Sequence, residues 1–248
     1  MAAKLSGVWV REEDIVCLAG YVKKRLGPAS TTDRGANTMG KLMDKTKTTF
    51  WKLSMKGLPR GPHVTRYYLY QHLQMLGPSL PLKQGDVLTI SDSDMLRKMM
   101  GIAPTSLVRA DYPEYNLLAL DLPDESFDFV ISDMVIEHLE GDPQKAFDET
   151  LRVLRPGGIA IHTSAFIYRF HPAPGDFWRF SPDALRLLAG RFTTVLDCGG
   201  WGNFKATCLL RTSLRYVPLP QAKWHPLHRI AMDNDPEWPI VTWVVAQK

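Results

Sequence analysis

Seven short apolar runs in the last two-thirds of the chain have the length of buried strands. Between the runs 127–132 and 159–163, Phe147, Leu151 and Leu154 recur at the spacing of one helical face. A strand, a helix and a strand in this order predict a parallel sheet with right-handed crossovers. The seven predicted strands cover residues 87–91, 106–110, 116–120, 127–132, 159–163, 192–197 and 241–246.

The helix between these two strands has its own start and stop signals. Asp142 followed by Pro143 suits an N-cap and a first helical position, because proline has no N–H to leave unsatisfied. Arg152 and Arg155 fall in the predicted last turn, where the helix dipole favours cations. The Pro-Gly-Gly run at 156–158 is then expected to end the helix before the next strand begins.

The first third of the chain has a different pattern, with helical periodicity and little sign of strands. Residues 1–26 are expected to be partly helical, and helical periodicity returns over 38–57 and 63–76. We therefore predict an N-terminal helical extension or cap over residues 1–81, packed beside a sheet domain over residues 82–248.

Composition limits the class of protein. The chain has 248 residues, 45% of them hydrophobic and 23% charged, which suits one α/β domain with an extension and argues against disordered or fibrous classes. No apolar run approaches the ~18 residues that span a bilayer, and charged residues at 11–14 come too early for a signal peptide. The three cysteines show no metal-ligand spacing, so we expect reduced thiols, a cytoplasmic location and no metal site.

The net charge of +4 is unevenly distributed. Between Lys41 and Lys83 the basic residues face a single acid, Asp44, and aromatic residues are interleaved with them. Such a segment is able to hold nucleic acid or an acidic substrate. The interpretation we favour is a solvated helical face whose aromatic side chains pack inward.

The carboxyl ends of the predicted parallel strands carry the first candidate site residues. Ligands of open α/β sheets bind beyond these strand ends. Ser132 and Asp133 end one central strand, and Thr163 and Ser164 end the next. A carboxylate at such a position lies in the ligand crevice, which favours a functional role for Asp133.

Two segments make the chain resemble a known family. The run LPDESFDFVISDMVIEHLEGDPQKAFDETLRVLRPGG is similar to the middle of class I S-adenosylmethionine (SAM)-dependent methyltransferases. FIYRFHPAPGDFWRFSPDALRLL resembles a branch with a His-x-x-Pro-x-Asp-aromatic-aromatic-Arg run after the fifth strand, and VTWVVAQK resembles its last strand. The resemblance covers roughly residues 85–248 and implies a Rossmann-like seven-stranded sheet, with the last strand antiparallel between its neighbours, and SAM as cofactor.

The family binds SAM with a glycine-rich turn after strand one, and this chain has VLTISDSDMLRKMM there. Asp tolerates the left-handed region and Ser is small, so both partly substitute for glycine. The alternative is a plain strand-to-helix turn with an N-cap. The resemblance further implies that Asp111 is the acid that binds the ribose hydroxyls. It also implies an adenine contact at Asp121, which lies close to the family's position for that acid but does not coincide with it. The predicted cofactor-binding residues are Ser91, Asp92, Ser93, Asp111, Asp121, Ser132 and Asp133.

The loop HPAPGDFWRF after the fifth predicted strand supplies the candidate catalytic residues. His171 suits a general base because the pKa of an unperturbed imidazole is near ~6.5. Asp176 is placed to orient it, and Arg179 to clamp an anionic acceptor. The alternative is an Asp176–Arg179 ion pair that only makes the loop rigid. His138, and similarly Glu137, are expected to be structural.

These residues predict a SAM-dependent methyltransferase that methylates a small-molecule or glycan acceptor, at oxygen, with no nucleic-acid partner and with a helical extension suited to a homodimer. Two alternatives stay open. A non-catalytic relative that kept the fold but lost SAM binding, and acts as a scaffold or partner protein, is favoured by the glycine-free loop. An RNA-directed enzyme would use the basic N-terminal segment, although no Asp/Asn-Pro-Pro-aromatic motif for base N-methylation is present.

Overall fold

The computed structural model describes residues 3–5, 8–10, 49, 51–172 and 174–248, and the chain divides into two compact units between Lys47 and Thr48. In the first unit, β1 (Ala3–Leu5) and β2 (Val8–Val10) form an antiparallel hairpin. The expectation of helix is therefore wrong for these six residues. The other predictions for residues 1–48, including the basic side chains of Lys41, Lys45 and Lys47, lie outside the described residues.

The second unit is built on one mixed sheet whose order is β4-β3-β5-β6-β8-β7. β8 runs antiparallel to both of its neighbours, and the other described pairings in this sheet are parallel. The Rossmann-like class and the antiparallel last strand are confirmed. The strands are β3 (Gln84–Ile90), β4 (Ala103–Ala110), β5 (Phe127–Asp133), β6 (Leu154–Ala165), β7 (Thr194–Trp201) and β8 (Val241–Gln247).

The predicted strand at 116–120 is wrong, so the sheet has six strands among the described residues instead of seven. The segment is a turn with one bridge between Asn116 and Ala119. The Asn116 side chain accepts a hydrogen bond from the backbone N–H of Leu118 at 2.9 Å. Asparagine competes in this way with sheet ladders, because its side chain offers the backbone a local partner.

Six α-helices are described, together with four 3₁₀ turns at Gly77–Ser79, Ile136–His138, Ala189–Arg191 and Ser213–Tyr216. None of the described helices is long and apolar enough to cross a membrane. The helices are α1 (Val64–Leu76), α2 (Asp94–Met99), α3 (Pro143–Val153), α4 (Pro182–Leu188), α5 (Phe204–Leu210) and α6 (Pro226–Met232).

The helix α3 begins as its sequence predicts and ends earlier. The Asp142 side chain caps it by accepting from the backbone N–H of Gln144, and Pro143 is its first residue. The predicted last turn is wrong beyond Val153, because β6 already begins at Leu154 and includes the Pro-Gly-Gly run.

Arg155 lies on β6, where two carboxylates hold its side chain. Its guanidinium lies 2.8 Å from a carboxylate oxygen of Asp86 on β3 and 2.8 Å from one of Asp128 on β5. Pro156 follows at once, and the residue before a proline is disfavoured in helical geometry.

The core fills both faces of the sheet, since successive strand residues point to opposite sides. On one face, Tyr67 and Leu73 of α1 are buried in the same cluster as Phe129, and Tyr68 stacks on buried Trp201 at 5.9 Å between ring centres. The other face receives α3 and α4. The helix α1 is thus part of the unit that contains the sheet, and its Tyr67, Tyr68 and Tyr70 side chains pack inward. The expected solvated basic face is wrong at Arg66, which pairs with the buried carboxylate of Asp133.

Candidate functional site

A cavity of about 550 Å³ opens at the carboxyl ends of β3, β4 and β5. Ile90 and Asp133, the last residues of β3 and β5, line it together with Ala110 at the end of β4. Its volume falls within the ~300–1,000 Å³ typical of small-molecule sites. This is the position at which parallel α/β sheets bind ligands.

The bend after β3 keeps an open shape without glycine. Ser91 adopts the left-handed region with φ 54°, and its backbone N–H donates to the carbonyl of Ala110 at 2.9 Å. Ser91 and Asp92 line the cavity, and the Asp92 side chain is 90% exposed. Ser93 lies beneath them, almost fully buried. A serine therefore adopts the left-handed backbone conformation that ordinarily favours glycine, the residue used in the family that the chain resembles.

The hydroxyl of Ser93 joins two strands. It donates to the carbonyl of Ile90 and accepts from the backbone N–H of Asp133 at 2.8 Å. Ser93 is not among the residues that line the cavity, although the sequence predicted it there. Its role in this structure is to hold the bend against β5.

The remaining predicted cofactor residues are spread around this cavity. Asp111 is half-exposed and pairs with Arg109, while its neighbour Tyr112 lines the cavity. Asp121 is exposed and lies outside the lining. Ser132 is buried, with its hydroxyl 2.7 Å from Nδ1 of His162, and also lies outside the lining. Asp111 is itself outside the lining, but unlike Asp121 it is next in the chain to a lining residue.

Asp133 is the most tightly held acid of the site. Its Oδ2 accepts from Nε of Arg66 at 2.9 Å and from the hydroxyl of Tyr70, and its Oδ1 accepts from the Thr163 hydroxyl at 2.7 Å. Burial acts to raise the pKa of Asp133, but Arg66 and these hydrogen bonds outweigh burial and hold the pKa below its usual value. Asp133 is therefore a carboxylate that fixes a cation in place.

Arg66 is the functional candidate that sequence reasoning missed. Burial acts to lower its pKa, but Asp133 and Tyr70 hold that pKa above the usual value, so the guanidinium stays charged. In the sequence it belongs to a basic helical segment and looks like one solvated cation among several. The spacing of Arg66 and Tyr70, one helical turn apart, is the only local signal, because the partner Asp133 is 67 residues away.

A second cavity of about 270 Å³ shares Arg66, Met134 and His138 with the first. The two cavities therefore meet just beyond the end of β5. The second cavity is lined by Thr65, Arg66, Met134, Glu137, His138, Ala165, Tyr168, His171, Tyr216 and Val241.

His171 lines this second cavity, and two acceptors lie close to one of its ring nitrogens. Its Nδ1 is 3.2 Å from Oδ2 of Asp176 and 3.2 Å from the carbonyl of Arg169. Burial, opposed by Asp176, lowers the pKa of His171 below its usual value. Since Nδ1 is engaged, Nε2 is the nitrogen left for a partner in the cavity.

Asp176 holds the loop together from a fully buried side chain. It accepts from the backbone N–H of His171 at 2.9 Å and forms a two-point ion pair with Arg179, one contact of which is 2.7 Å. Burial acts to raise the pKa of Asp176, but these partners lower it. Arg179 lines neither cavity, so the loop-stiffening ion pair is the arrangement found.

Glu137 and His138, which the sequence suggested were structural, also reach the second cavity. The His138 ring lies 4.9 Å from the His171 ring, nearly perpendicular to it, and its Nδ1 is bonded to the carbonyl of Gly175. The Glu137 carboxylate is buried and accepts from the Ser164 hydroxyl at 3.2 Å. One ligand atom of Glu137, His138 and His171 each lies within 4.8 Å of the others.

Comparison with known proteins agrees with this geometry. Residues 79–162 match a family model described as a methyltransferase domain. A protein of Mycolicibacterium smegmatis named as a probable S-adenosylmethionine-dependent methyltransferase is 35% identical over 119 residues. That match covers 44% of this chain and 45% of the relative, so the chain spans less than half the length of this curated relative. The predicted family resemblance is confirmed.

Solved structures with a similar fold include one bacterial and one archaeal protein. One is a SAM-dependent methyltransferase of Thermotoga maritima, titled a possible histamine N-methyltransferase, at 15% identity, with a TM-score of 0.45 and coverage of 75% of this chain and 91% of that chain. The other is a SAM-dependent methyltransferase of Archaeoglobus fulgidus, also at 15% identity and TM-score 0.45, covering 74% and 94%.

Proposed function

We propose that this chain, which carries a methyltransferase domain of the class I SAM-dependent family, transfers a methyl group from SAM to an oxygen of a small-molecule or glycan acceptor. The observation that carries the proposal is the meeting of two cavities at Arg66, Met134 and His138. The larger cavity would hold the donor and the smaller one the acceptor. A methyl group would then pass from one to the other without entering solvent.

The larger cavity offers the kinds of group that SAM requires. SAM has a sulfonium, a zwitterionic amino-acid tail, a ribose diol and an adenine. Arg66 is placed for the tail carboxylate, and Asp92 for the ammonium group. Asp111 would serve the ribose hydroxyls from the rim, as a carboxylate accepts two O–H donors at once. Leu117 and Leu118 line an apolar side suited to a purine ring.

Met134 and Asp133 would mark the transfer point. Asp133 acts through Arg66, whose guanidinium it orients. Met134 has φ 57°, and its backbone N–H donates to the Thr163 hydroxyl at 3.0 Å, so its position between the cavities is set by the backbone. Holding donor and acceptor about 3 Å apart in line accounts for much of the rate of such a displacement.

His171 would act as the general base in the smaller cavity. The acceptor hydroxyl gives its proton to Nε2 of His171, its oxygen forms a bond to the methyl carbon, and the bond from that carbon to sulfur breaks. The products are the methyl ether or ester and S-adenosylhomocysteine. Asp176 would be a positioning residue, because its carboxylate lies 3.2 Å from the opposite ring nitrogen.

A labelled-donor experiment tests this proposal. The purified chain is incubated with SAM carrying a deuterated methyl group and with a fractionated metabolite extract, and the products are analysed by mass spectrometry. We expect S-adenosylhomocysteine together with an acceptor that gains a deuterated methyl on oxygen. A chain that binds no SAM and forms no S-adenosylhomocysteine with any fraction would favour the alternative in which SAM binding has been lost. Labelled RNA in the same extract would favour the nucleic-acid alternative.

A further inference from the structure

Three side chains on the smaller cavity have the chemistry of metal ligands. Glu137, His138 and His171 all line it, and one ligand atom from each lies within 4.8 Å of the other two. Two imidazoles and one carboxylate form a ligand set that transition-metal sites use, with other positions open. This set is not evident from the sequence, because Glu137 and His138 precede His171 by more than thirty residues.

Each of the three side chains is already oriented by a second partner. Nδ1 of His138 is bonded to the Gly175 carbonyl, and Nδ1 of His171 faces the carboxylate of Asp176. In metal sites the ligating imidazole almost always donates its other N–H to a carbonyl or carboxylate, which leaves Nε2 free to coordinate. Oε2 of Glu137 likewise accepts from the Ser164 hydroxyl at 3.2 Å.

The burial of Glu137 is an independent observation that calls for a cation. The residue is 1% exposed, and no Lys or Arg of the described part of the chain forms an ion pair with it. Buried charges are normally paired or bound to a metal, because leaving water costs an isolated carboxylate several kcal/mol or more. The Ser164 hydroxyl at 3.2 Å and a hydrogen bond from the backbone of Glu137 itself are neutral partners, which compensate a buried charge only weakly.

Backbone hydrogen bonds hold the three ligands at this spacing. Glu137 and His138 belong to the 3₁₀ turn Ile136–His138, which follows β5. The carbonyl of Glu137 accepts from the backbone N–H groups of Phe177 and Trp178, both at 3.0 Å. These bonds tie the turn to the loop that carries His171, so the site does not depend on side-chain packing alone.

We infer that Glu137, His138 and His171 bind a divalent transition-metal ion at an open site in the smaller cavity. Imidazole nitrogen favours Zn²⁺, Co²⁺, Ni²⁺ or Fe²⁺ over Mg²⁺ and Ca²⁺, which prefer all-oxygen sites. Three protein ligands leave at least one position free, as in catalytic metal sites.

The inference rests on the acceptor site of the proposed function and adds a metal-bound form to it. A metal ion held by these three residues would offer its open position to the acceptor's hydroxyl oxygen and would make the proton of that hydroxyl easier to lose to water. His171 is then a ligand, and the base role belongs to the metal-free form. Acceptors with a second oxygen beside the hydroxyl, which chelate the ion, are the favoured class.

Cobalt titration tests the site without using activity. The full chain, free of an affinity tag, is stripped with EDTA and titrated with Co²⁺, while calorimetry and visible absorption are recorded. We expect one equivalent bound with a visible band that Zn²⁺ displaces. His138→Ala should lose at least tenfold in affinity. His228→Ala, which changes a histidine outside both cavities, should bind as the wild type does. No binding, or equal binding by His138→Ala, would overturn the inference.

S-adenosylhomocysteine binding separates a failed inference from a failed function. The His138→Ala chain should still unfold cooperatively, which shows that it is folded. The His171→Ala chain, which is changed at a ligand that lines the smaller cavity alone, should still unfold at a higher temperature with S-adenosylhomocysteine added. Methyl transfer by a chain that binds no Co²⁺ would leave the proposed function in place and remove the metal. One bound equivalent of Co²⁺ with no methyl transfer to any acceptor would keep the metal site and remove the proposed function.

Discussion

At the residue scale, Arg66 matters most because it is the one Lys or Arg among the described residues that lines both cavities. Its Nε donates to Oδ2 of Asp133 at 2.9 Å and to the hydroxyl of Tyr70 at 3.1 Å. These two hydrogen bonds fix the plane of the guanidinium. The outer guanidinium nitrogens remain for a ligand. An arginine held in this way recognises a carboxylate with little loss of side-chain entropy.

Arg66→Gln should weaken S-adenosylhomocysteine binding at least tenfold, about 1.4 kcal/mol, because the tail carboxylate loses its cation. The binding of methylthioadenosine, which has no amino-acid tail, should change little. Calorimetry with both ligands checks this prediction, and an equal loss for the two would show that Arg66 does not contact the tail. The variant should also be less stable, since a buried Asp133 is left without its cation.

His171→Ala should lower turnover by about 10²–10⁴-fold, the usual contribution of a positioned base or acid, while S-adenosylhomocysteine binding persists. Steady-state rates and calorimetry on the same preparations measure the two effects. His228→Ala is the matched control, because its ring contacts the Tyr67 hydroxyl away from both cavities. Unchanged turnover would remove His171 from the mechanism.

At the element scale, the bend between β3 and α2 decides whether a nucleoside is accommodated. The family's glycines are absent, and two interactions replace them: a serine in the left-handed region and a buried serine that fastens the bend to β5. Ser91 has no β-branch and tolerates this backbone at modest cost. The bend stays on the rim of the cavity, which supports the enzyme over the non-catalytic alternative.

Ser93→Ala should destabilise the chain by about 1–3 kcal/mol, because the buried N–H of Asp133 loses its acceptor. Urea unfolding measures the change. Ser79→Ala is a suitable control, since its hydroxyl is exposed and the substitution should stay within about 0.5 kcal/mol. A Ser93→Ala chain as stable as the control would mean that the link does not hold the bend.

Elements with a local cause were predictable from the sequence, and those with a distant cause were not. The helix α3 follows from an N-cap, a proline and an apolar stripe within one segment. The error at 116–120 arose because an apolar alternation looks like a strand, whereas the Asn116 side chain turns the backbone. The early end of α3 is consistent with Pro156, which disfavours helical geometry at Arg155, whereas the ion pairs of Arg155 with Asp86 and Asp128 are revealed by no local pattern.

The same division applies to the site. Asp133 and His171 were predicted to lie at the site, and they line its cavities because strand ends and the loops that follow them gather at one edge of a parallel sheet. Arg66 was not predicted, because α1 reaches that edge only through packing of its aromatic face on the sheet. Glu137 and His138 were expected to be structural, since a histidine or an acid on its own usually is, and the sequence does not show that they lie close to His171.

At the scale of the whole molecule, the helix α1 and the β6–α4 loop enclose the carboxyl edge of the sheet from two sides. Arg66 comes from α1 and His171 from the loop, and both line the smaller cavity. The site is therefore complete only when the entire unit 48–248 is folded. Ligand binding and global stability should be linked as a consequence.

Acid should destabilise the chain in part through Asp133. Its pKa is lower in the folded chain than in the unfolded one, so its contribution is complete above the unfolded pKa, about 3.9, and is lost as pH falls through the folded value. Urea unfolding as a function of pH should show a steeper acid loss for the wild type than for Asp133→Asn. Parallel curves would show that Asp133 does not contribute to the acid transition.

The most direct test of the central claim is thermal unfolding of the full chain with and without S-adenosylhomocysteine. A ligand present at ~100 times its dissociation constant adds about 2.7 kcal/mol to the free energy of unfolding, so the unfolding temperature should rise by several degrees. Adenosine alone should give a smaller rise, because Arg66 then has no carboxylate to bind. An unfolding temperature unchanged at millimolar S-adenosylhomocysteine would contradict the account.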